Sequence, residues 1–94
     1  MKKVTRQAIN AFTNNENFNG SNTIVRHENG TTKMFLFGNM IAKKEDGKVY
    51  ITNAGWESNT TKERLNAIQG VSIQQKNFVW YLNGKQWDGK LTEI

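Results

Sequence analysis

The apolar positions at the start of the chain recur every four residues. Val4, Ala8 and Phe12 stand at i, i+4 and i+8, and polar residues fill most of the positions between them. Because four residues make about one turn of an α-helix, this spacing puts the three side chains on one stripe. The pattern predicts a short amphipathic helix over residues 3–12, followed by a loop of turn-forming residues at 13–22.

Short β-prone runs replace the helical spacing in the next part of the chain. Asn29-Gly30 and Asp46-Gly47 lie between such runs, and both pairs favour the positive φ angles of a tight hairpin turn. Gly38-Asn39 marks a third junction. An antiparallel meander is therefore predicted from the runs at residues 22–26, 31–37, 39–44 and 48–52.

A second helix is predicted beyond the meander. Thr60 and Glu63 have the spacing of a capping box, in which a hydroxyl and a carboxylate each bind a free backbone N–H. Thr61, Leu65 and Ile68 would then form the buried stripe of this helix. The rest of the chain predicts another hairpin from residues 71–74 and 78–82, with a further turn at 83–84.

Together these elements predict an α+β fold in a single domain that spans residues 1–94. A small antiparallel β-sheet, built as a meander of hairpins, would carry two short helices packed on one face. The core is expected to be thin, because a chain of this size buries only roughly 60–65% of its unfolded surface.

The composition limits which chemistry and which compartment are expected. The chain has no cysteine, so it forms no disulfide and no thiolate metal site, which fits a reducing cytoplasm. No apolar run approaches the roughly 18 residues that span a bilayer, and no membrane partner is expected. The formal net charge of +5 favours a polyanionic partner such as nucleic acid or an acidic protein surface. A charge of this size is also ordinary for solubility, and both interpretations stay open.

No catalytic machinery is predicted. His27 is the only histidine, and a catalytic nucleophile needs a base that a third group orients. A lone histidine without cysteine also gives no expectation of a transition-metal site. The carboxylates are scattered along the chain, so an acid and base pair cannot be argued from them. The glycines also lack the spacing of a phosphate-binding loop. The expectation is a protein that is not an enzyme and that carries no cofactor.

Aromatic and basic residues are interleaved in the second half of the chain. Aromatic rings beside cations suit base stacking with phosphate neutralisation, and they also suit a protein interface. The segment 58–64 offers a helix N-terminus with hydroxyl groups, which predicts either an anion site or ordinary helix capping. The residues predicted to contact nucleic acid or another partner are Lys62, Arg64, Lys76 and Lys85, with the exposed members of Trp56, Tyr81 and Trp87.

Blocks of sequence between residues 34 and 89 carry a resemblance. They are LFGN at residues 36–39, ITNAGW at 51–56, TTKERLN at 60–66 and WYLNG at 80–84, followed by WDG at 87–89. In their order and spacing these blocks resemble a family of small, uncharacterised bacteriophage proteins. The resemblance implies a phage protein that acts in the cytoplasm of the infected bacterium, and it implies no particular activity.

Three functions follow as hypotheses. The leading one is a non-enzymatic phage accessory protein that binds nucleic acid through a basic surface containing aromatic residues. The second is an inhibitor of a host bacterial defence system, of anti-CRISPR or anti-restriction type, that acts by protein–protein binding. A basic chain is not a simple mimic of DNA, so such an inhibitor would cover a protein surface or compete for nucleic acid. The third is a component of the virion or of its assembly.

Overall fold

The first helix begins at the predicted position. The computed structural model describes residues 1–94, and helix α1 (Lys3–Asn14) extends two residues beyond its predicted end. Ala8 and Phe12 are buried on its inner side, as the four-residue spacing predicts. Asn15 follows in the left-handed conformation, with φ 58°, and its N–H closes the helix on the carbonyl of Ala11.

Nine strands and a second helix follow α1, and the strands form two antiparallel sheets. The elements in chain order are β1 (Phe18–Asn19), β2 (Thr23–Glu28), β3 (Thr31–Leu36), β4 (Asn39–Glu45), β5 (Lys48–Ile51), α2 (Asn59–Asn66), β6 (Ile73–Lys76), β7 (Val79–Leu82), β8 (Lys85–Gln86) and β9 (Thr92–Glu93). The larger sheet has the order β1-β2-β3-β4-β5-β9, and the smaller has the order β6-β7-β8. The predicted α+β class and the central meander are confirmed.

Two of the three junctions predicted in the meander are hairpin turns at the predicted residues. Asn29-Gly30 and Asp46-Gly47 adopt positive φ angles, as type I′ turns require. The third turn lies one residue earlier than predicted, at Phe37-Gly38, with φ 50° at Phe37. The shift follows from the pairing of Leu36 with Asn39, which leaves two residues in the loop. A bulky residue is uncommon in this conformation, and the Phe37 side chain remains 69% exposed.

Helix α2 is capped by a different residue from the one predicted. Ser58 is the N-cap, because its hydroxyl accepts a 3.1 Å hydrogen bond from the N–H of Thr61. The predicted capping box of Thr60 and Glu63 is therefore wrong, and the Glu63 carboxylate instead accepts a hydrogen bond from α1. The predicted inner stripe is confirmed, since Thr61, Leu65 and Ile68 are all buried.

The last third of the chain departs from the predicted single sheet. Strands β6, β7 and β8 form a sheet of their own, whereas the two-residue strand β9 returns to pair with β5. Trp80 and Leu82 are buried on β7, and Trp87 packs beside Trp80 with the ring centroids 6.2 Å apart. Hairpin signals report pairing between neighbouring strands only, which is why the sequence did not predict this return.

The core lies on one face of the six-stranded sheet. All sixteen buried apolar residues belong to one cluster, to which both helices and both sheets contribute. Val25 and Met34, paired on β2 and β3, are completely buried on the face that α1 covers. Each such side chain contributes about 1.5–3 kcal/mol by its burial. The alternation along the strands sends Ile24 and Phe35 to the opposite face. Neither helix is long and apolar enough to cross a membrane.

Candidate functional site

The predicted contact residue Arg64 lies inside the protein. Its side chain is 1% exposed. The guanidinium donates to the hydroxyls of Thr5 at 2.7 Å and Thr23 at 3.0 Å, and to the side-chain oxygen of Asn22 at 3.2 Å. The neighbouring Glu63 carboxylate completes an ion pair with it. The expectation that Arg64 reaches a partner from the surface is corrected, because a buried guanidinium with all these bonds has no free edge for a phosphate.

The Glu63 carboxylate is held in its ionised form by this cluster. It accepts a 2.6 Å hydrogen bond from the Thr5 hydroxyl as well as the contact from Arg64. Burial acts to raise the pKa of Glu63, but the Thr5 hydrogen bond and the Arg64 charge outweigh it, so the pKa lies below its ordinary value. Through their bonds to Thr5 and Thr23, Glu63 and Arg64 connect α2 to α1 and to the start of β2.

Lys62 and Trp87 are also engaged within the protein. The Lys62 ammonium donates a 2.7 Å hydrogen bond to the Gln75 side chain and lies 5.7 Å from the centroid of the Trp80 ring. Trp87 is 8% exposed, and its indole N–H donates to the Thr92 hydroxyl at 2.9 Å. Trp87 is therefore not one of the exposed aromatic residues, whereas Lys62 remains partly exposed.

The other predicted contact residues lie on separate surfaces. Lys76 and Tyr81 share the outer face of the three-stranded sheet, where Lys76 is exposed and Tyr81 is half-buried. Lys85 pairs with Leu82 and so belongs to the opposite face. Trp56 is 63% exposed in the loop before α2. The structure thus brings Lys76 and Tyr81 together on one face, and the partner contacts of the exposed residues stay predictions.

Cations are concentrated on another surface, the face of the six-stranded sheet opposite the core. We call this surface the open face. It is formed by the side chains of β2 to β5 that alternate with the buried ones, and all of them are exposed or half-buried. The register of the strands arranges them in three rows: Ile24, Phe35 and Met40; then Arg26, Lys33, Lys43 and Tyr50; then Glu28, Thr31, Glu45 and Lys48.

The middle row of the open face carries three cations side by side. Lys33 pairs with Arg26 on one side and with Lys43 on the other. Because adjacent strands lie about 4.8 Å apart, the three residues span about 10 Å across the sheet. Arg26 donates only to backbone carbonyls, at 3.2 and 3.5 Å, and neither Arg26 nor Lys33 forms a salt bridge. Two charges of the row are therefore available to an anionic ligand.

Aromatic rings flank this cationic row. Tyr50 continues the row on β5, and the Lys43 ammonium lies 5.1 Å from the centroid of its ring. Phe35 belongs to the next row, where it pairs with Ile24 and Met40 and is half-buried. Cations and aromatic or apolar side chains thus occupy neighbouring positions on one continuous sheet surface.

Carboxylates occupy the margins of the open face. Glu45 lies 3.7 Å from Lys43, and Glu28 stands in the same row as Glu45. Glu93 on the edge strand β9 pairs with Tyr50. The face therefore changes along the strands from mixed charges, through the cationic row, to the apolar row.

The sequence contained a signal for part of this row. A two-residue turn at Asn29-Gly30 places Arg26 opposite Lys33, so alternation and turn length together would have found the first pair. Lys43 could not be placed in this way. Counting residues back from the Phe37-Gly38 turn does not give Lys43 as the partner of Lys33, because the register between β3 and β4 shifts at Met34/Phe35.

The isolated histidine supports the local fold. The His27 ring is within 2.8 Å of the Thr32 hydroxyl, which donates in turn to the Asn15 side chain at 2.8 Å. No group of three His, Cys, Asp or Glu side chains lies close enough together to hold a metal ion.

The fold and the open face define a small α+β protein with an uncovered, cationic sheet surface. Over residues 1–93 the chain matches a protein family described as Kyanoviridae Gp96 protein. The chain belongs to this family of bacteriophage proteins, and the match extends well beyond residues 34–89, which carry the resemblance. No curated protein and no solved structure shows a significant match to the chain.

Proposed function

We propose that this protein is a non-enzymatic phage accessory protein that binds single-stranded nucleic acid on its open face, in the cytoplasm of the infected bacterium. One observation carries the proposal. The cations Arg26, Lys33 and Lys43 stand in register on three adjacent strands, flanked by the rings of Phe35 and Tyr50. The membership of a phage protein family supports an accessory role in infection.

The cationic row suits a phosphate backbone. Phosphates supply closely spaced negative charges along the chain, and cations that neutralise them gain free energy by releasing bound counterions. Arg26 and Lys33 are exposed and have no carboxylate partner, so no internal ion pair must break when a phosphate binds. The net charge of +5 adds a long-range attraction to any polyanion.

The rings beside the row favour a single strand over a duplex. Phe35 and Tyr50 are half-buried in a sheet surface, which leaves part of each ring to stack on a base. Bases in a duplex are stacked on one another, so their faces are closed to a flat sheet. Unpaired bases of DNA or RNA can meet the rings while the phosphates follow the cations.

Fluorescence anisotropy of labelled oligonucleotides tests the proposal. Single-stranded and double-stranded DNA and RNA are titrated with the protein at low salt and again at a fourfold higher salt concentration. The expected result is binding of single strands that exceeds binding of duplexes and that weakens with salt. Absence of binding to any single strand at low salt would overturn the proposal.

An exposed phenylalanine favours a protein partner as the second candidate function. Phe78 is 91% exposed at the tip of the β6–β7 hairpin, with φ 67°. Glycine would suit this turn position far better, and a large ring in solvent stabilises nothing in the fold. Exposed aromatic residues are typical anchors of protein interfaces, and an inhibitor of a host defence protein would use one in this way.

A capture experiment separates the second candidate from the first. Tagged protein is incubated with host lysate that has been treated with nuclease, in parallel with a Phe78→Gly variant. An inhibitor would retain one host protein in stoichiometric amount, and the variant would lose it. Phe78 is not such an anchor if the wild-type protein retains no host protein, or if wild type and Phe78→Gly retain the same host protein equally.

A further inference from the structure

A cavity of about 320 Å³ opens beside the turn that joins β3 and β4, two of the strands that carry the open face. Leu36 and Ile41 are buried and form its apolar floor, and the exposed rings of Phe37 and Trp56 line it as well. Its volume is at the lower end of the range, roughly 300–1,000 Å³, in which proteins bind small organic groups. We call it the Trp56 pocket.

The loop that carries Trp56 is fixed by its own hydrogen bonds. The N–H of Trp56 donates to the Asn53 carbonyl at 2.8 Å, and the N–H of Gly55 donates to the Asn53 side-chain oxygen at 2.8 Å. The N–H of Ala54 donates to the Thr52 hydroxyl at 3.1 Å. A loop backbone that is fixed by these bonds is already ordered before a ligand arrives, which lowers the entropic cost of binding.

The polar groups of the Trp56 pocket are uncharged. No Lys, Arg, His, Asp or Glu lines it, and its polar members are amides and hydroxyls that include Asn39, Asn53 and Thr60. Asn53 is 4% exposed, and its amide nitrogen donates no hydrogen bond within the protein. The hydroxyl of Thr60 likewise has no partner. An apolar floor, aromatic walls and unused amide and hydroxyl groups suit a flat, neutral ring with hydrogen-bonding edges.

We infer that the Trp56 pocket binds one unpaired nucleobase of the strand that crosses the open face. This inference rests on the proposed function and adds to it a place where base identity is read. Amide side chains pair with the edges of bases, whereas the sheet rings stack on any base. The cationic row holds the backbone, and the pocket selects one base.

The geometry allows one nucleic-acid strand to occupy both the open face and the Trp56 pocket. Phe35 on the open face and Phe37 on the pocket wall are two residues apart in the chain, the first near the end of β3 and the second in the β3–β4 turn. A nucleic-acid strand with one base stacked on Phe35 can therefore pass around the tip of the β3–β4 hairpin and place a following base in the pocket.

Free nucleosides test the pocket without phosphates. Adenosine, guanosine, cytidine and uridine are each mixed with the full chain, and saturation-transfer NMR records which ligand protons receive magnetisation from the protein. We expect transfer to the base protons of at least one nucleoside, and its loss in Trp56→Ala. The Phe78→Ala variant is the matched control, because it removes an exposed ring outside the pocket and should leave the transfer unchanged.

The outcomes separate the pocket from the proposed function. If oligonucleotides bind but no nucleoside does, the pocket inference is overturned and the open face remains. If nucleosides bind but oligonucleotides do not, the proposed function fails and the pocket remains. If N-acetyltryptophanamide displaces the nucleosides and binds more tightly than any of them, the pocket takes a protein side chain and the inference is wrong.

The same variant makes a second prediction with oligonucleotides. Trp56→Ala should weaken single-strand binding roughly tenfold, the usual loss when a stacking ring is removed. The slope of affinity against salt should stay as in wild type, because no phosphate contact is lost. Unchanged affinity in Trp56→Ala, or a reduced salt slope, would contradict a base-binding role.

Discussion

The Arg64 guanidinium donates a 2.7 Å hydrogen bond to the Thr5 hydroxyl, 59 residues earlier in the chain. Thr5 donates in turn to the Glu63 carboxylate, so one hydroxyl joins both members of an ion pair on α2. The bond fixes α2 against α1 through two residues that are both buried. A residue that looks like a surface cation in the sequence is therefore part of the framework.

Removal of the Arg64 guanidinium should destabilise the fold. We expect Arg64→Ala to lower the free energy of unfolding by about 3–5 kcal/mol, because it leaves a carboxylate and several buried oxygens without their donor. Arg64→Lys should recover only part of this loss, since one ammonium cannot reach every acceptor of the guanidinium. Urea unfolding followed by circular dichroism measures both values.

The control for this prediction is Lys62→Ala on the same helix. Its ammonium is partly exposed, so we expect a loss below about 1 kcal/mol. Equal effects of Arg64→Ala and Lys62→Ala would show that the buried cluster does not hold the two helices together.

The Glu63 carboxylate should make stability depend on acid pH. Its pKa in the folded protein lies below its ordinary value, so its contribution to stability is complete above that ordinary value. The contribution is lost as the pH falls through the folded pKa. The free energies of unfolding of wild type and Glu63→Gln should therefore differ most near neutrality and converge on acidification. Denaturant titrations at a series of acid pH values measure both free energies of unfolding. A difference between wild type and variant that stays constant with pH would contradict the prediction.

Gly89→Ala should destabilise the protein more than Gly84→Ala, although the two glycines have similar φ angles. A Cβ at Gly89 would overlap the side-chain amide of Asn53, whereas a Cβ at Gly84 would meet nothing within 4 Å. Both have similar φ angles, +84° and +87°. Gly84→Ala should cost about 1–2 kcal/mol from the backbone alone, and Gly89→Ala should cost more. Thermal unfolding of both variants measures the difference, and equal costs would mean that Asn53 moves aside freely.

Glycine at position 78 should stabilise the protein. The Asn77-Phe78 turn has two positive φ angles, and Phe78→Gly creates the Asn-Gly pair that this turn prefers. We expect a gain of about 0.5–1 kcal/mol, since the exposed ring contributes no packing. Phe78→Ala removes the ring but keeps the unfavourable backbone, so it should bring little gain. A destabilised Phe78→Gly variant would show that the ring supports the fold.

Local signals predicted much of this fold, and long-range contacts account for the rest. The four-residue spacing of α1 and the Asn29-Gly30 and Asp46-Gly47 turns act between neighbours in sequence, so the sequence reveals them. The return of β9 to β5 depends on a partner about 40 residues away, beyond the reach of such patterns. The burial of Arg64 depends likewise on hydroxyls from α1 and β2.

The candidate site was predictable only in its chemistry. A net charge of +5 and interleaved rings indicated a basic, aromatic surface, but they could not say which rings and cations share a face. The seven contact residues that the sequence predicts, all between residues 56 and 87, lie partly at buried positions and partly on different surfaces. The cationic row gathers Arg26, Lys33 and Lys43 from three strands, and the bulge between Met34 and Phe35 sets the register that includes Lys43.

The most direct test of the central claim compares two double variants with the same charge. Arg26→Ala/Lys33→Ala removes two cations from the open face, and Lys76→Ala/Lys85→Ala removes two exposed cations from the smaller sheet, so each lowers the net charge from +5 to +3. Affinity for a single-stranded oligonucleotide is measured over a series of salt concentrations. We expect the first variant to bind more weakly, with a log–log salt slope smaller by about 1.4, because each lost phosphate contact removes about 0.7. The second should keep nearly the slope of wild type. Equal losses in both variants, or a loss only in the second, would contradict binding at the open face.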